Sequence, residues 1–300
     1  MLSIDPKQLE TKDVHQYLLG AIGPRPIAFA STMDNHGNPN LSPFSFFNVF
    51  SANPPIMVFS PARRVRNNTT KDTLANCAAT KEVVINVVNF ATVEQMSLSS
   101  TEYPSTVNEF VKAGLTPMES KTVRPYRVKE SPVQFECIVR DITALGEEGG
   151  AGNLIICEVK MMHFNESILT DQQKIDQHKI DLVGRMGGDW YVRASGEAIF
   201  EVEKPARKLG IGIDMIPPRI RNSFILTGND LGKLGNVEHV PSDEQIEGIR
   251  KDPEVASILA SSDDAYELRE LLHQYAHELL KENEVQKAWS VLLTDKLNRN

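Results

Sequence analysis

Hydroxyl and amide side chains lie among aromatic rings in the segment 40–55, which reads NLSPFSFFNVFSANPP. Its pattern predicts one strand over residues 41–51 and another over residues 56–60. A strand that only filled a core would favour Val, Ile and Leu at these positions. Small hydrogen-bonding groups beside flat rings instead suit a flat ligand with polar edges. The residues that form this pattern are Ser42, Phe44, Ser45, Phe46, Phe47, Asn48 and Ser51.

A second chemical pattern follows in the segment 60–73, SPARRVRNNTTKDT, where cations are interleaved with amides and hydroxyls. The spacing predicts a helix over residues 73–80, with Asp72 or Thr70 as its N-cap. Free N–H groups at a helix start, beside Arg and Lys side chains, form a good anion site, although a solvated basic loop is the alternative. Direct connection to the strand 56–60 favours the anion site. The cations are Arg63, Arg64, Arg66 and Lys71.

The elements that must position these residues are mostly strands. Strands this frequent, with few helices between them, predict a mainly β fold, an antiparallel barrel with peripheral helices, rather than a doubly wound sheet. Short helices are also predicted over 93–99 and 107–113, and residues 147–152, EEGGAG, predict a hairpin turn. The predicted strands are 27–32, 41–51, 56–60, 83–88, 133–145, 154–164 and 198–202.

The composition of the chain changes near its last third, and we expect a strand-rich domain over 1–203 and a loop and helical extension over 204–300. In the extension, Asp263 or Asp264 is a candidate N-cap for a helix. Apolar stripes along the helices of this extension predict that the helices pack on the barrel or on a partner subunit. Apolar residues recur there at helical spacing: Leu268, Leu271, Leu272, Tyr275, Leu279, Leu280, Val285, Trp289 and Leu292.

The composition also limits the classes of function. With 300 residues, 41% of them hydrophobic, the chain can bury a sizeable core. A net charge of -8 argues against nucleic acid as the main partner, although a local basic patch can hold a phosphate. The polar N-terminus and the lack of a long apolar run predict a cytoplasmic protein with no membrane partner. We expect reduced thiols at Cys77, Cys137 and Cys157, with the last two in the core.

Several motifs with known chemistry are incomplete. Residues 210–215 lack the third glycine of a dinucleotide fingerprint, and residues 228–234, GNDLGKL, lack the spacing of a P-loop and read as a helix-capping turn. His273 and His277 share a helix face without a third ligand, so we expect a surface pair rather than a metal site. No GxSxG elbow is present. The sequence therefore predicts no metal site and no hydrolase.

His163 lies at the end of the predicted strand 154–164, where a side chain can reach the mouth of a pocket. It could hydrogen-bond a cofactor, or it could be a partly buried histidine bonded to the backbone. The glycine-rich residues 183–191, VGRMGGDWY, either line a cleft or form a tight loop with packed rings.

In combination, these motifs resemble the flavin-reductase-like family, whose members have an FMN-binding split β-barrel. The resemblance covers about the first two thirds of the chain. Residues 211–241 and the terminal helices resemble a C-terminal extension that one branch of the family carries. The matching elements are 25–32 (RPIAFAST), 40–55, 71–77 (KDTLANC), 83–88 (VVINVV) and 184–193 (GRMGGDWYVR).

The resemblance implies a homodimer that binds FMN near the subunit interface. Arg25 adds charge near the flavin or structures the strand entry, with a surface salt bridge as the alternative. His163 is a candidate contact to cofactor or nicotinamide because of its position at a strand end. Since strand alternation puts Phe46 and Phe47 on opposite faces, at most one should face the ring. The residues implied around the ring are Ser31, Thr32, Ser45, Phe46, Phe47 and Asn48, and those around the phosphate are Ser60, Arg64, Lys71, Asp72 and Thr73.

The implied reaction is hydride transfer from NADH or NADPH to flavin N5, with later release of the flavin or passage of its electrons to an acceptor. Such a reaction requires no protein nucleophile and no acid–base pair, so no catalytic residue is assigned. The alternatives are a non-enzymatic FMN electron carrier, a dimeric binding protein without flavin, and an oxidase of the pyridoxamine-phosphate type.

Overall fold

The computed structural model describes residues 1–205 and 209–295. The chain divides into two compact units, Met1–Phe200 and Glu201–Asn300. Strands dominate the first unit and helices the second, which confirms the predicted mainly β fold with peripheral helices and a C-terminal helical extension.

A seven-stranded antiparallel sheet forms the first unit, with strand order β2-β1-β5-β8-β9-β4-β3. Two further pairs of short strands, β6 with β7 and β10 with β11, flank it. The strands are β1 (Ala28–Met33), β2 (Pro39–Phe44), β3 (Phe47–Ala52), β4 (Pro55–Phe59), β5 (Glu82–Val87), β6 (Pro117–Met118), β7 (Arg127–Val128), β8 (Val133–Ala144), β9 (Asn153–Phe164), β10 (Val183–Arg185) and β11 (Tyr191–Arg193).

Helices cover the sheet and connect its strands. The helix α1 has no counterpart among the predicted elements; none of its residues is buried, and its Tyr17 and Leu18 are exposed. The helices of the first unit are α1 (Thr11–Ala21), α2 (Asp72–Thr80), α3 (Val93–Leu98), α4 (Glu109–Ala113) and α5 (Gln177–Ile180). Short 3-10 turns lie at Pro6–Gln8, Phe90–Thr92, Glu166–Ile168 and Gly196–Ala198.

Strand β1 is buried along its whole length because both of its faces meet a core. Ala28 and Ala30 face a core that includes Phe59 and Ile85, whereas Phe29 faces a second core. The three thiols lie in the first core, which confirms the prediction for two of them: Cys77, Cys137 and Cys157. Burial raises the pKa of the Cys77 thiol to about 12, so this thiol stays protonated at neutral pH.

Two predicted strands are wrong. Residues 41–51 form two strands instead of one, because β2 pairs with β1 whereas β3 pairs with β4 at the other edge of the sheet. The chain changes partner at Ser45 and Phe46. Residues 198–202 form no strand: no neighbouring strand pairs with them, and Phe200 and Val202 are exposed.

The second unit packs its helices around the fully buried Trp289, whose indole Nε1 donates to the Leu234 carbonyl at 3.0 Å. Asp264 caps α10, as predicted. Among the described residues, no helix is both long and apolar enough to cross a membrane. The helices are α6 (Pro218–Arg221), α7 (Gly228–Gly235), α8 (Asp243–Ile249), α9 (Pro253–Ser261), α10 (Ala265–Lys281) and α11 (Val285–Leu292), with a 3-10 turn at Ile213–Met215.

Two expectations for this unit are corrected. Residues 228–234 belong to the helix α7, which Thr227 and Asp230 begin with a capping box, rather than to a turn. The expected surface pair is wrong for His273, which is buried against the Ser223 hydroxyl, whereas His277 is half-buried and lies 2.8 Å from the Asp230 carboxylate. Helical spacing shows that two residues share a face, but it does not show which face is buried.

Candidate functional site

The start of α2 offers backbone N–H groups that no side chain caps. Lys71 is the N-cap residue and makes no side-chain hydrogen bond to the helix, so the predicted caps Asp72 and Thr70 are wrong. An uncapped helix start carries partial positive charge and free donors. Asp72, in the first turn, contributes a negative charge of its own near this end. Because its N–H groups are uncapped, the helix start can bind an anion, provided that the anion lies away from the exposed Asp72 carboxylate.

Lys71, the residue at this helix start, places its amine near an aromatic ring. Its Nζ lies 5.5 Å from the centre of the Phe44 ring. Burial, and secondly the charge of Arg64, lower the pKa of the Lys71 amine. Among the described residues, Lys71 has no carboxylate within ion-pair distance. A desolvated cation without a counter-ion gains more from a bound anion than a solvated one does.

Arg64 holds the loop 61–71, here called the cationic loop, in a defined shape. Its Nη1 donates to the Thr69 hydroxyl at 3.0 Å and to the Thr70 carbonyl at 2.5 Å. Arg63 acts within the same loop, since its Nε donates to the side chain of Asn68 at 2.6 Å. The loop is therefore braced by its own hydrogen bonds, and it presents cations at fixed positions.

Amide and hydroxyl groups connect the strands β1 and β2 to α2. Asn40 donates from Nδ2 to the Thr32 hydroxyl at 3.1 Å and to the Thr73 hydroxyl at 2.9 Å. Asn76 of α2 also donates to Thr32, at 3.1 Å. The neighbouring Ser31 hydroxyl is buried and has no hydrogen-bond partner among the described residues. The Ser31 hydroxyl therefore keeps unused bonding capacity inside the fold.

Part of this polar cluster lines one pocket, here called the Lys71 pocket, whereas Ser31, Thr32 and Asn76 lie outside its lining. Four of its lining residues are predicted site residues, namely Arg64, Lys71, Asp72 and Thr73. The sequence reasoning missed most of the others, because residues 99–103 lie in a polar connection without a motif, and Glu109 reads as an ordinary helix residue. Ser42 belongs to the predicted hydroxyl and aromatic pattern, and Asn40 begins the same segment; the missed residues are Ser99, Ser100, Thr101, Glu102, Tyr103 and Glu109.

Glu109 is a buried acid in the Lys71 pocket. Its Oε2 accepts the Leu41 backbone N–H at 3.1 Å, which ties α4 to the edge strand β2. Burial is the main reason that its pKa is raised, and the charge of Asp72 raises it further. The pocket wall therefore combines cations with an acid whose negative charge is disfavoured.

The hydroxyl and aromatic residues of the segment 45–48 lie where the cationic loop begins, but outside the pocket lining. The Ser60 N–H donates to the Phe46 carbonyl at 2.9 Å, which joins the start of β3 to the start of the loop. Phe47 packs on the first core, whereas Phe46 and Asn48 are exposed. The structure thus places these residues at one rim of the sheet.

Arg25 is buried and bonded within the fold. Its guanidinium donates to the carbonyls of Leu19, Ile22 and Met186, and its Nε lies 3.5 Å from the Ser45 hydroxyl. Burial, followed by the charge of Arg185, lowers the pKa of Arg25. The alternative of a surface salt bridge is therefore wrong. Arg25 holds the end of α1 against the turn after β10.

His163 is bonded to a buried carboxylate rather than to the backbone. Its Nε2 lies 2.7 Å from Glu136, which also accepts the Lys121 N–H and both donors of Thr122. Burial alone would raise the pKa of Glu136, but these hydrogen bonds lower it to about 2. Strand register places His163 at the far end of β9 from Ile155, which pairs with Phe59 beside the cationic loop.

Comparisons with known proteins agree with this fold. The family model for the flavin reductase like domain matches residues 21–177. An uncharacterized protein from Aquifex aeolicus is 37% identical over 196 residues, which are 65% of this chain and 97% of that protein. The crystal structure of nitrilotriacetate monooxygenase component B from Bacillus cereus is 31% identical, with a TM-score of 0.63, and the match covers 67% of this chain and 98% of that one.

A split-barrel-domain protein from Shewanella frigidimarina superposes with a TM-score of 0.57 at 25% identity, over 68% of this chain and all of that one (100%). The predicted split barrel is therefore confirmed. The rest of the chain is a C-terminal extension to this domain.

Proposed function

Because the chain belongs to the flavin reductase like family, we propose that it is an FMN-dependent oxidoreductase that uses NADH or NADPH as its electron donor. One observation carries this proposal: the desolvated Lys71 amine, Arg64 and the uncapped start of α2 converge on one pocket. They lie within the part of the chain that matches the family. Together they form a phosphate site next to a rim of hydroxyl and aromatic residues.

The Lys71 pocket fits the phosphate of FMN by charge and by donor type. A phosphate monoester carries between one and two negative charges at neutral pH and accepts strong hydrogen bonds. Lys71 and Arg64 would supply charge, and the first N–H groups of α2 would supply directed donors. Thr73 and Ser60 would complete this site, with Asp72 at its edge.

The flavin ring is proposed to lie along the rim beside the pocket. When bound, the ring supplies the hydride-accepting centre, so the protein is required to position it and to leave one face open. Ser31 is proposed to help position the ring, because its buried hydroxyl has no hydrogen-bond partner among the described residues. The proposed ring contacts are Ser31, Thr32, Ser45, Phe46, Phe47 and Asn48.

We further propose that two copies of the chain pair at the edge strand β3. This strand ends the sheet, and it exposes Val49 by 58% and Phe50 by 68%. An exposed apolar edge strand is a surface that proteins normally cover. A second copy would cover it and would enclose the rim on which Phe46 and Asn48 lie. Light scattering of the purified chain tests this, since a monomer at micromolar concentration would contradict it.

The visible spectrum of the purified protein tests the function. We expect two flavin absorption bands, and oxidation of NADH or NADPH when FMN is added. Bound flavin without nicotinamide oxidation would instead support an electron carrier that a partner protein reduces. Colourless protein with no FMN binding in calorimetry would contradict both. The double variant Arg64→Ala, Lys71→Ala is the control, because it should lose the flavin while it keeps the fold.

A further inference from the structure

Glu102 already binds the cations of the proposed phosphate site. Its carboxylate accepts from Arg64 Nε at 3.1 Å, and its other oxygen pairs with Arg66. It lies in the segment 99–103, which forms one wall of the Lys71 pocket. A carboxylate and a phosphate bind guanidinium groups through the same donors, so Glu102 occupies positions that a phosphate oxygen would use.

The pairing with Glu102 is not what holds Arg64 in place. Arg64 also donates to Thr69 and Thr70, and its backbone N–H donates to the Thr69 carbonyl at 2.9 Å. Arg66 is largely exposed, and Glu102 is itself partly exposed, which is typical of ion pairs that add little to stability. Removal of the Glu102 charge should therefore leave the cationic loop in its present shape.

The carboxylates of the pocket differ in what they do. Glu109 is tied to the Leu41 N–H, and Asp72 lies in the first turn of α2, whereas Glu102 lies directly on the cations. A bound phosphate must either displace Glu102 from Arg64 or share the guanidinium with it. Displacement breaks the ion pair between Glu102 and Arg64, and sharing brings the carboxylate and the phosphate close together, so both cases cost free energy. Only ligands that carry the phosphate meet this cost.

We propose that Glu102 is an internal competitor for the phosphate of the flavin and thereby a specificity-determining residue of the Lys71 pocket. It lowers the affinity for a phosphorylated flavin and leaves the affinity for the unphosphorylated one unchanged. This inference rests on the proposed function, since it takes the Lys71 pocket as the phosphate site. Its consequence is that the chain holds FMN less tightly than its cations alone would allow, which suits release of the flavin.

The test compares Glu102→Gln with the wild-type full-length chain, freed of flavin, by titration with FMN and with riboflavin at low salt. We expect FMN to bind about two- to fivefold more tightly to the variant, because partly exposed ion pairs are worth up to about 1 kcal/mol. Riboflavin affinity should not change. Glu158→Gln is the matched control, since Glu158 also pairs with two cations, Arg140 and Lys160, and its loss changes the net charge equally.

The outcomes separate the two proposals. Unchanged or weaker FMN binding by Glu102→Gln, or an equal gain for riboflavin, would overturn the role of Glu102 and leave the FMN site intact. The same gain in Glu158→Gln would also overturn it, since a general charge effect would then suffice. A wild-type chain that binds neither flavin would overturn the proposed function and this inference together. The inhibition constant of inorganic phosphate against FMN should also be lower for Glu102→Gln than for the wild type. This constant provides a second measurement on the same folded variant.

Discussion

Two polar regions of the first unit differ in how their charges are satisfied. In the Lys71 pocket, a desolvated amine and an uncapped helix start keep bonding capacity. At the other region, the fully buried Glu136 accepts from Lys121, Thr122 and His163, with Arg127 also 3.8 Å away. The first arrangement suits ligand binding, and the second stabilises the fold. The residue types alone do not distinguish them, since both combine basic groups with carboxylates.

The largest expected effect is the loss of stability when the carboxylate of Glu136 is removed. Glu136→Ala removes a buried carboxylate and leaves its donors without an acceptor, so we expect the free energy of unfolding to fall by about 3–5 kcal/mol. FMN affinity of the folded protein should not change. Urea unfolding measures the first quantity and flavin titration the second. Glu158→Ala is the control and should destabilise far less, because the partners of Glu158, Arg140 and Lys160, are exposed. A large loss of FMN affinity in Glu136→Ala would show that the region around Glu136 also takes part in ligand binding.

The Glu136 carboxylate should also make the free energy of unfolding depend on pH in the acid range. The pKa of Glu136 is lowered to about 2 in the folded protein, so its contribution is complete above the unfolded pKa of about 4.5. That contribution is lost as the pH falls from about 4.5 to about 2. We expect a loss of roughly 1–3 kcal/mol over this range, after allowance for solvent screening. Glu136→Gln should lack this part of the acid profile, measured by urea unfolding at several pH values, and an unaltered profile would contradict the role of Glu136.

His163 provides a further test, because its position at a strand end makes it a candidate cofactor contact in the sequence. The structure bonds it to Glu136, at the far end of β9 from the cationic loop. We expect His163→Ala to reduce the free energy of unfolding by about 1–2 kcal/mol, through a lost hydrogen bond to a charged group. FMN affinity should remain within twofold of wild type. A tenfold loss of affinity without loss of stability would restore His163 to the site.

The smallest effect comes from Lys71 in the absence of ligand. Its folded pKa is lowered, so the folded state disfavours the charged amine, and stability should rise as the pH increases through that pKa towards the unfolded value near 10.5. Lys71→Met should remove this rise and should change the free energy of unfolding at neutral pH by less than about 1 kcal/mol. Alkaline urea titrations of both proteins measure it. Strong destabilisation by Lys71→Met would show that the amine is structural.

Much of the fold could be predicted from the sequence because its signals are local. The strands around Val83, Val133 and Leu154 follow from β-branched runs bounded by turns. The break at Ser45 could not be predicted, because it depends on which strands become neighbours in the sheet. Residues 198–202 have the composition of a strand but find no partner, which local sequence cannot reveal.

Only the part of the candidate site that lies in one stretch of sequence could be predicted. Arg64, Lys71 and Thr73 follow one another closely in the sequence, so a local pattern identifies them. Glu102 and Glu109 enter the same pocket from distant positions, and only the tertiary fold brings them there. Arg25 and His163 carry groups that a ligand could use, but folding gives both of them internal partners. Whether a polar group is satisfied is a property of its surroundings in the fold.

The most direct test of the account is the affinity of the Arg64→Ala, Lys71→Ala double variant for FMN and for riboflavin, measured by fluorescence titration of the full chain. We predict that FMN binding weakens by about 2–4 kcal/mol, since charge-assisted hydrogen bonds are worth about 1.5–3 kcal/mol each and are not additive. Riboflavin binding should barely change. Equal weakening for both flavins, or no weakening for FMN, would contradict the claim that the Lys71 pocket binds the phosphate.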